Sequence, residues 1–114
     1  MMNVYAVIAV ADLDASCAWY ERLMGRPADA NPMDGLVQWE ITEGGGLQLV
    51  RDAGHAGSTQ MTVIVDDLAF RMTELEGRGI ATGTISTGEV ARFAALTDPG
   101  GNTITFAEAI RAGD

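Results

Sequence analysis

Val10-Ala11-Asp12-Leu13 comes back as Val65-Asp66-Asp67-Leu68, and both times the tetrapeptide ends an apolar run and opens a helical pattern. Each half then closes on a short apolar strand after a glycine turn. The two closures are Gly46-Leu47-Gln48-Leu49-Val50 and Gly101-Asn102-Thr103-Ile104-Thr105-Phe106. A supersecondary plan given twice in one chain settles the fold before any other feature is read. Here it predicts two similar sheets facing each other across a cavity, so that the lining of that cavity sets the chemistry.

Working outward, residues 3–10 are apolar and rich in β-branched types, which reads as a strand buried on both faces. Asp12 is placed to cap the following helix, where its carboxylate can accept from free backbone amides. Leu13, Cys17, Tyr20 and Met24 recur at helical spacing, with Trp19 and Leu23 widening the stripe. Gly25 and Pro27 end that helix. Residues 36–42 alternate as a strand, Gly44-Gly45-Gly46 turns, and residues 47–51 pair back. Residues 52–59 are small, polar and aperiodic, so they read as a linker between the halves. Residues 60–65 then form a strand and Asp67 caps a helix, with Leu68, Met72 and Leu75 in the places of Leu13, Cys17 and Tyr20. Gly77 and Gly79 end it. Residues 81–86 make a weak strand and 91–97 a better one, and Asp98-Pro99-Gly100-Gly101-Asn102 has the composition of a tight turn. The expected architecture is α+β, with two tandem βαβββ modules. Module one covers about 1–52 and module two about 60–110 of a single 114-residue domain.

The bulk numbers narrow the function. Hydrophobic residues at 47% and charged residues at 20% are globular values, which argues against disorder. Seven basic against sixteen acidic residues give a net charge of −9, so a phosphate backbone would be repelled and no nucleic-acid partner is expected. No stretch is apolar enough to span a membrane and the start has no signal-peptide pattern. The expectation is therefore a soluble cytoplasmic protein without a membrane partner. A single cysteine, Cys17, agrees with a reducing compartment.

The order and spacing of Val10-Ala11-Asp12-Leu13-Asp14-Ala15-Ser16 with Trp19-Tyr20, Val65-Asp66-Asp67-Leu68, and Asp98-Pro99-Gly100-Gly101-Asn102 resemble the vicinal oxygen chelate superfamily. That superfamily includes glyoxalase I, bleomycin-resistance proteins and extradiol dioxygenases. The resemblance covers essentially the whole chain. It implies paired βαβββ modules, curved sheets with ligand sites in their concavities, and a homodimer. It also implies a divalent metal held by side chains of the first and last strands of each module. The matching positions here are Tyr5, Gln48, Gln60 and Thr105. Two amides and two neutral hydroxyls are weak donors beside the carboxylates and imidazoles that catalytic ions require. No metal and no other cofactor is expected.

Other chemistry is weaker still. Cys17 lies on the helix stripe where Met72 stands in the other half, which suits a packed small hydrophobe better than a nucleophile. His55, the one imidazole, sits in the linker and reads as solvated. Gly44-Gly45-Gly46 joins two strands and lacks the residues of a phosphate loop. Glu40, in mid-strand, reads as outward and solvated because it alternates with Val37, Trp39 and Ile41.

Alternation places Tyr5, Val7 and Ala9 on one face of the first strand and Gln60, Thr62 and Ile64 on the corresponding face of the other module. With Gln48, Val50, Trp39, Phe93 and Thr105 these form the expected ligand-binding set: aromatic and aliphatic walls with a few neutral polar groups. Tyr5 and Trp39 would stack, while Gln48, Gln60 and Thr105 would orient the ligand. The expected function is metal-independent binding of a small aromatic or cationic molecule in a homodimer. The alternatives are a glyoxalase- or dioxygenase-type enzyme, using a weak metal or an acid/base pair such as Tyr5 with Glu40, and a structural dimer that fills its own cavity. The residues leave open whether the modules pair within one chain or by exchange between two.

Overall fold

The computed structural model describes residues 1–110. The first half runs β1 (Val4–Val10), α1 (Leu13–Met24), β2 (Ala30–Met33), β3 (Leu36–Thr42) and β4 (Gly45–Arg51). One 3-10 turn, Ala53–His55, precedes the second half, which runs β5 (Gln60–Ile64), α2 (Leu68–Gly77), β6 (Ser86–Thr87), β7 (Ala91–Thr97) and β8 (Thr103–Ala109). Each half is one four-stranded mixed sheet, in the orders β1-β4-β3-β2 and β5-β8-β7-β6. In both, the first strand lies parallel to the last and the remaining pairs are antiparallel. The helix between first and second strands supplies the crossover that a parallel pair needs.

The caps repeat as the tetrapeptides do. Asp12 Oδ1 accepts from the amide of Ala15 at 3.0 Å, and Asp67 Oδ1 accepts from the amide of Phe70 at 3.0 Å. Gly25 ends α1 at φ 75°, in the left-handed region that glycine enters without steric cost. Three local expectations change. The Ala30–Met33 strand has no periodic signal: its residues are all exposed, and Pro32 is tolerated because β2 is an edge. Of residues 81–86 only Ser86 joins a strand, a two-residue one with Thr87. β1 is a sheet edge and is not buried on both faces, since Val7 remains 52% exposed.

The core shows how the halves join. Ile8, Val10, Trp39, Leu47 and Leu49 from the first sheet share one buried cluster with Leu68, Met72, Leu96, Ile104 and Phe106 from the second half. The helix-side faces of both sheets thus point inward, towards each other's half. Polar ties cross the same boundary. Tyr20 Oη donates to Asp98 Oδ2 at 2.7 Å, Asn102 Nδ2 donates to the Ala9 carbonyl at 3.1 Å, and Arg78 Nη1 donates to the Leu23 carbonyl at 3.0 Å. The residues leave open where two sheet faces would oppose each other across a cavity, and this packing does not bring the other faces together within one chain. Those faces are turned out to solvent, with Gln60, Thr62, Ile64 and Phe93 all exposed.

Burial, and then the hydrogen bond to Asp98, push the Tyr20 phenol well above its ordinary value. Its contribution to stability is complete below about pH 10, where an unfolded tyrosine is still protonated, and is lost as pH rises beyond that. Replacing Tyr20 by Phe leaves Asp98 short of one donor inside the core. The expected loss is about 1–3 kcal/mol in the unfolding free energy, measured by urea denaturation at neutral pH. The same variant should lose less stability than wild type when the measurement is repeated above about pH 10.

Candidate ligand-binding faces

Register determines which side chains share the open face of the first sheet. Tyr5 stands opposite Gly46 and Gly46 opposite Glu40; Val7 stands opposite Gln48 and Gln48 opposite Gln38; Ala9 stands opposite Val50 and Val50 opposite Leu36. Gly46 makes the first of these rows possible. A Cβ there would come within 1.9 Å of the Trp39 carbonyl oxygen, at the irregular register near Glu40 and Thr42. With no side chain between them, the Tyr5 ring reaches across β4 to Glu40.

The result is a polar network on a face lined otherwise by Val7, Ala9, Val50 and Leu36. Tyr5 Oη donates to Glu40 Oε1 at 2.6 Å and accepts from Gln38 Nε2 at 3.2 Å and Asn3 Nδ2 at 3.1 Å. Gln38 Nε2 also donates to Glu40 Oε1 at 3.0 Å, and Gln48 Nε2 donates to Gln38 Oε1 at 2.7 Å. The hydrogen bond to Glu40 raises the Tyr5 phenol above its ordinary value, and the charge of Glu40 adds to the effect. Backbone around the same strand is braced from behind: Arg26 donates to the Glu40 carbonyl, while Asp29 Oδ2 accepts from the Glu40 amide at 2.7 Å.

Two placements reverse the sequence expectation, and for one reason. Strand alternation puts Trp39 and Glu40 on opposite faces, and the open face is the one that carries Gln48. Trp39 is therefore excluded from the candidate set: it is 0% exposed, packs 6.3 Å from Tyr20, and donates from Nε1 to the Arg26 carbonyl. It cannot stack with Tyr5. Glu40, read as turned away, belongs to the network instead. Gln38 was not singled out from the sequence. It was legible there, since it flanks Trp39 and stands two residues from Glu40.

The second sheet's open face differs in character. Gln60 lies opposite Thr103, Thr62 opposite Thr105, and Ile64 opposite Ala107, which in turn faces Phe93. Ile64 is 70% and Phe93 42% exposed. Tyr5, Val7, Gln48 and Val50 thus gather on one face, and Gln60, Thr62, Phe93 and Thr105 on another. Within one chain the two groups do not meet.

The donor chemistry does not fit a divalent metal. Tyr5 and Gln48 lie on one sheet and Gln60 and Thr105 on the other, and the first pair is already engaged in the network. Among the described residues no three His, Cys, Asp or Glu side chains come together. One carboxylate with neutral amides and hydroxyls offers little to replace an ion's hydration shell. Cys17 is half-buried, and burial raises its thiol, with Glu21 and Asp14 adding to the shift, so it is a poor nucleophile. His55 is exposed, its Nδ1 2.7 Å from Asp52 Oδ2.

Because Glu40 accepts the Tyr5 proton bond and repels the phenolate, its neutralisation has a defined direction. Glu40→Gln should bring one tyrosine titration down in an ultraviolet-monitored pH titration while the other, from Tyr20, stays high. Equal curves for wild type and variant would show that the Tyr5–Glu40 bond does not form in solution.

No protein-family model and no curated protein sequence matches the chain. Solved structures do. A glyoxalase/bleomycin resistance protein from Catenulispora acidiphila DSM 44928 is 32% identical over 95% of this chain and 98% of its own, with a TM-score of 0.88. TnmS3, an antibiotic binding protein from Streptomyces sp. CB03234, is 21% identical over 96% of this chain and 97% of its own, with a TM-score of 0.79. Lactoylglutathione lyase from Agrobacterium tumefaciens is 20% identical over 92% of this chain and 91% of its own, with a TM-score of 0.75. The latter two likenesses are of fold alone, whereas the first extends through sequence and the full length of both chains. With the repeated βαβββ plan and paired sheets already in view, the chain belongs to the glyoxalase/bleomycin resistance protein family.

Proposed function

We propose that the protein binds a small aromatic or cationic molecule without a metal, between the open face of one chain's first sheet and the open face of another chain's second sheet. The observation that carries this reading is the Tyr5–Glu40–Gln38–Gln48 network on a face left uncovered by its own chain. Among the described strand residues of the two open faces, Glu40 is the only acid, so it supplies the one fixed negative charge to which a cation can pair. Val7, Ile64 and Phe93 supply exposed apolar area to cover the rest of such a ligand. The exposure of Val7 on one face and of Ile64 and Phe93 on the other leaves both accessible to a second copy, which supports a homodimer. Gln60, Thr62 and Thr105 would then complete the site from the partner side.

A second reading rests on the same hydrogen bond. Glu40 and Tyr5 are an organic acid/base pair of the kind a glyoxalase-like lyase or isomerase could use. The raised Tyr5 phenol works against it, because a proton carrier is most effective when its pKa lies near the working pH. Binding is the better-supported reading.

Proflavine, a planar aromatic cation with environment-sensitive fluorescence, probes the site. Glu40→Gln should weaken its binding about tenfold, and Gln48→Leu with Gln60→Leu together by at least as much. Unchanged affinity in both variants would remove the proposal. Turnover of a hemithioacetal by wild type, abolished in Glu40→Gln, would favour the enzyme reading instead.

A further inference from the structure

Where the two halves meet, the ends of α1 and β3 face β5 and α2 around a cleft of about 380 Å³ that Glu40 and Ile64 also border. The volume lies within the ~300–1,000 Å³ of ordinary small-molecule sites. Ile41, Val63 and Phe106 contribute apolar wall, and Arg26, Arg71 and Arg78 contribute guanidinium groups. Three of the chain's seven basic residues therefore border one apolar recess in a protein of net charge −9.

The local charge is what makes this cleft more than a seam. Arg26 is matched by Asp29. Arg71 and Arg78, by contrast, share a single carboxylate, with Nη atoms 3.0 and 3.2 Å from Glu74 Oε1, so among the described residues these two guanidiniums have one ion-pair partner between them. Arg78 is held in place by the end of α1, donating from Nη1 to the carbonyls of Arg22 and Leu23. Among the described residues, Arg71 finds an acceptor only for Nη1, so its remaining donors stay available. Glu40, which also borders the cleft, has its carboxylate committed to Tyr5 and Gln38 on the other face. The net negative charge of the whole chain acts over a screening length of only ~8 Å at physiological salt, so the nearest guanidiniums govern what an anion meets in the recess.

We propose that this cleft binds an amphipathic monocarboxylate, its head on Arg71 and Arg78 and its apolar chain along Ile41, Val63 and Phe106. Guanidinium forks match a carboxylate in geometry as well as charge, and the adjoining wall would take hydrocarbon out of water. The cleft touches the open faces at Glu40 and Ile64, but the residues given to its ligand are others, and it does not depend on the ligand proposed for those faces.

Decanoate and decanol, which share a chain and differ in the head group, test it by carbon-13 methyl spectroscopy of the whole protein. Decanoate should shift the Ile41 and Val63 methyls saturably and leave those of Val7 and Val50 in place. Decanol should bind more weakly, and Arg71→Gln should weaken decanoate about tenfold while leaving decanol unchanged. No saturable shift, shifts centred on Val7 and Val50, decanol binding as tightly as decanoate, or an Arg71→Gln variant with undiminished affinity would each overturn the proposal.

Discussion

A buried carboxylate that has no ion-pair partner among the described residues holds the two halves in their relation. Asp98 is 4% exposed, and its charge is met by donors alone: the Tyr20 hydroxyl, the Asn102 side-chain amide, and the backbone amides of Gly100 and Asn102, all between 2.7 and 2.9 Å. Burying such a group is tolerable only when its hydrogen bonds are complete, which makes every one of these donors necessary. Asn102 extends the constraint by donating to the Ala9 carbonyl and accepting from the Thr59 amide. One turn between β7 and β8 is thereby tied to α1, to β1 and to the chain entering β5.

That tie has a consequence for the candidate ligand site. With the helix sides of both sheets committed to one shared core, their other faces have nowhere to go but outward. A ligand enclosed on two sides then requires a second molecule, and the two walls it would meet are unlike. One is a hydrogen-bonded face with a single carboxylate. The other is lined by threonine hydroxyls and methyls beside Phe93. A wall that orients through polar groups, opposed by one that covers apolar area, is a common division of labour in small-molecule pockets.

Much of this was legible in the residues. The repeated Val-x-Asp-Leu signature located both caps, because an aspartate before an amphipathic run has one inexpensive local role, and the apolar periodicities located the long strands and both helices. What escaped was set by tertiary context. β2 carries Ala-Asn-Pro-Met, a sequence with little β preference, and exists through its pairing with β3. The exchange of Trp39 for Glu40 on the candidate face has a different origin. A large aromatic reads as pocket lining from its composition, whereas the pairing of Gln38 with Gln48 turns its neighbour Trp39 to the other face of the sheet. Composition suggested a site residue, and register, the stronger constraint, assigned it to the core. The outward orientation of the faces had no sequence signal at all, since the Tyr20–Asp98 bond spans residues far apart in the chain.

Native mass spectrometry of untagged protein purified without chelator tests the central claim most directly. Two chains per particle and no stoichiometric divalent ion, with or without a small organic adduct, is the predicted spectrum. A monomer would leave the outward faces without the second wall this account gives them. One divalent ion per chain would contradict the reading of the donor set at Tyr5, Gln48, Gln60 and Thr105.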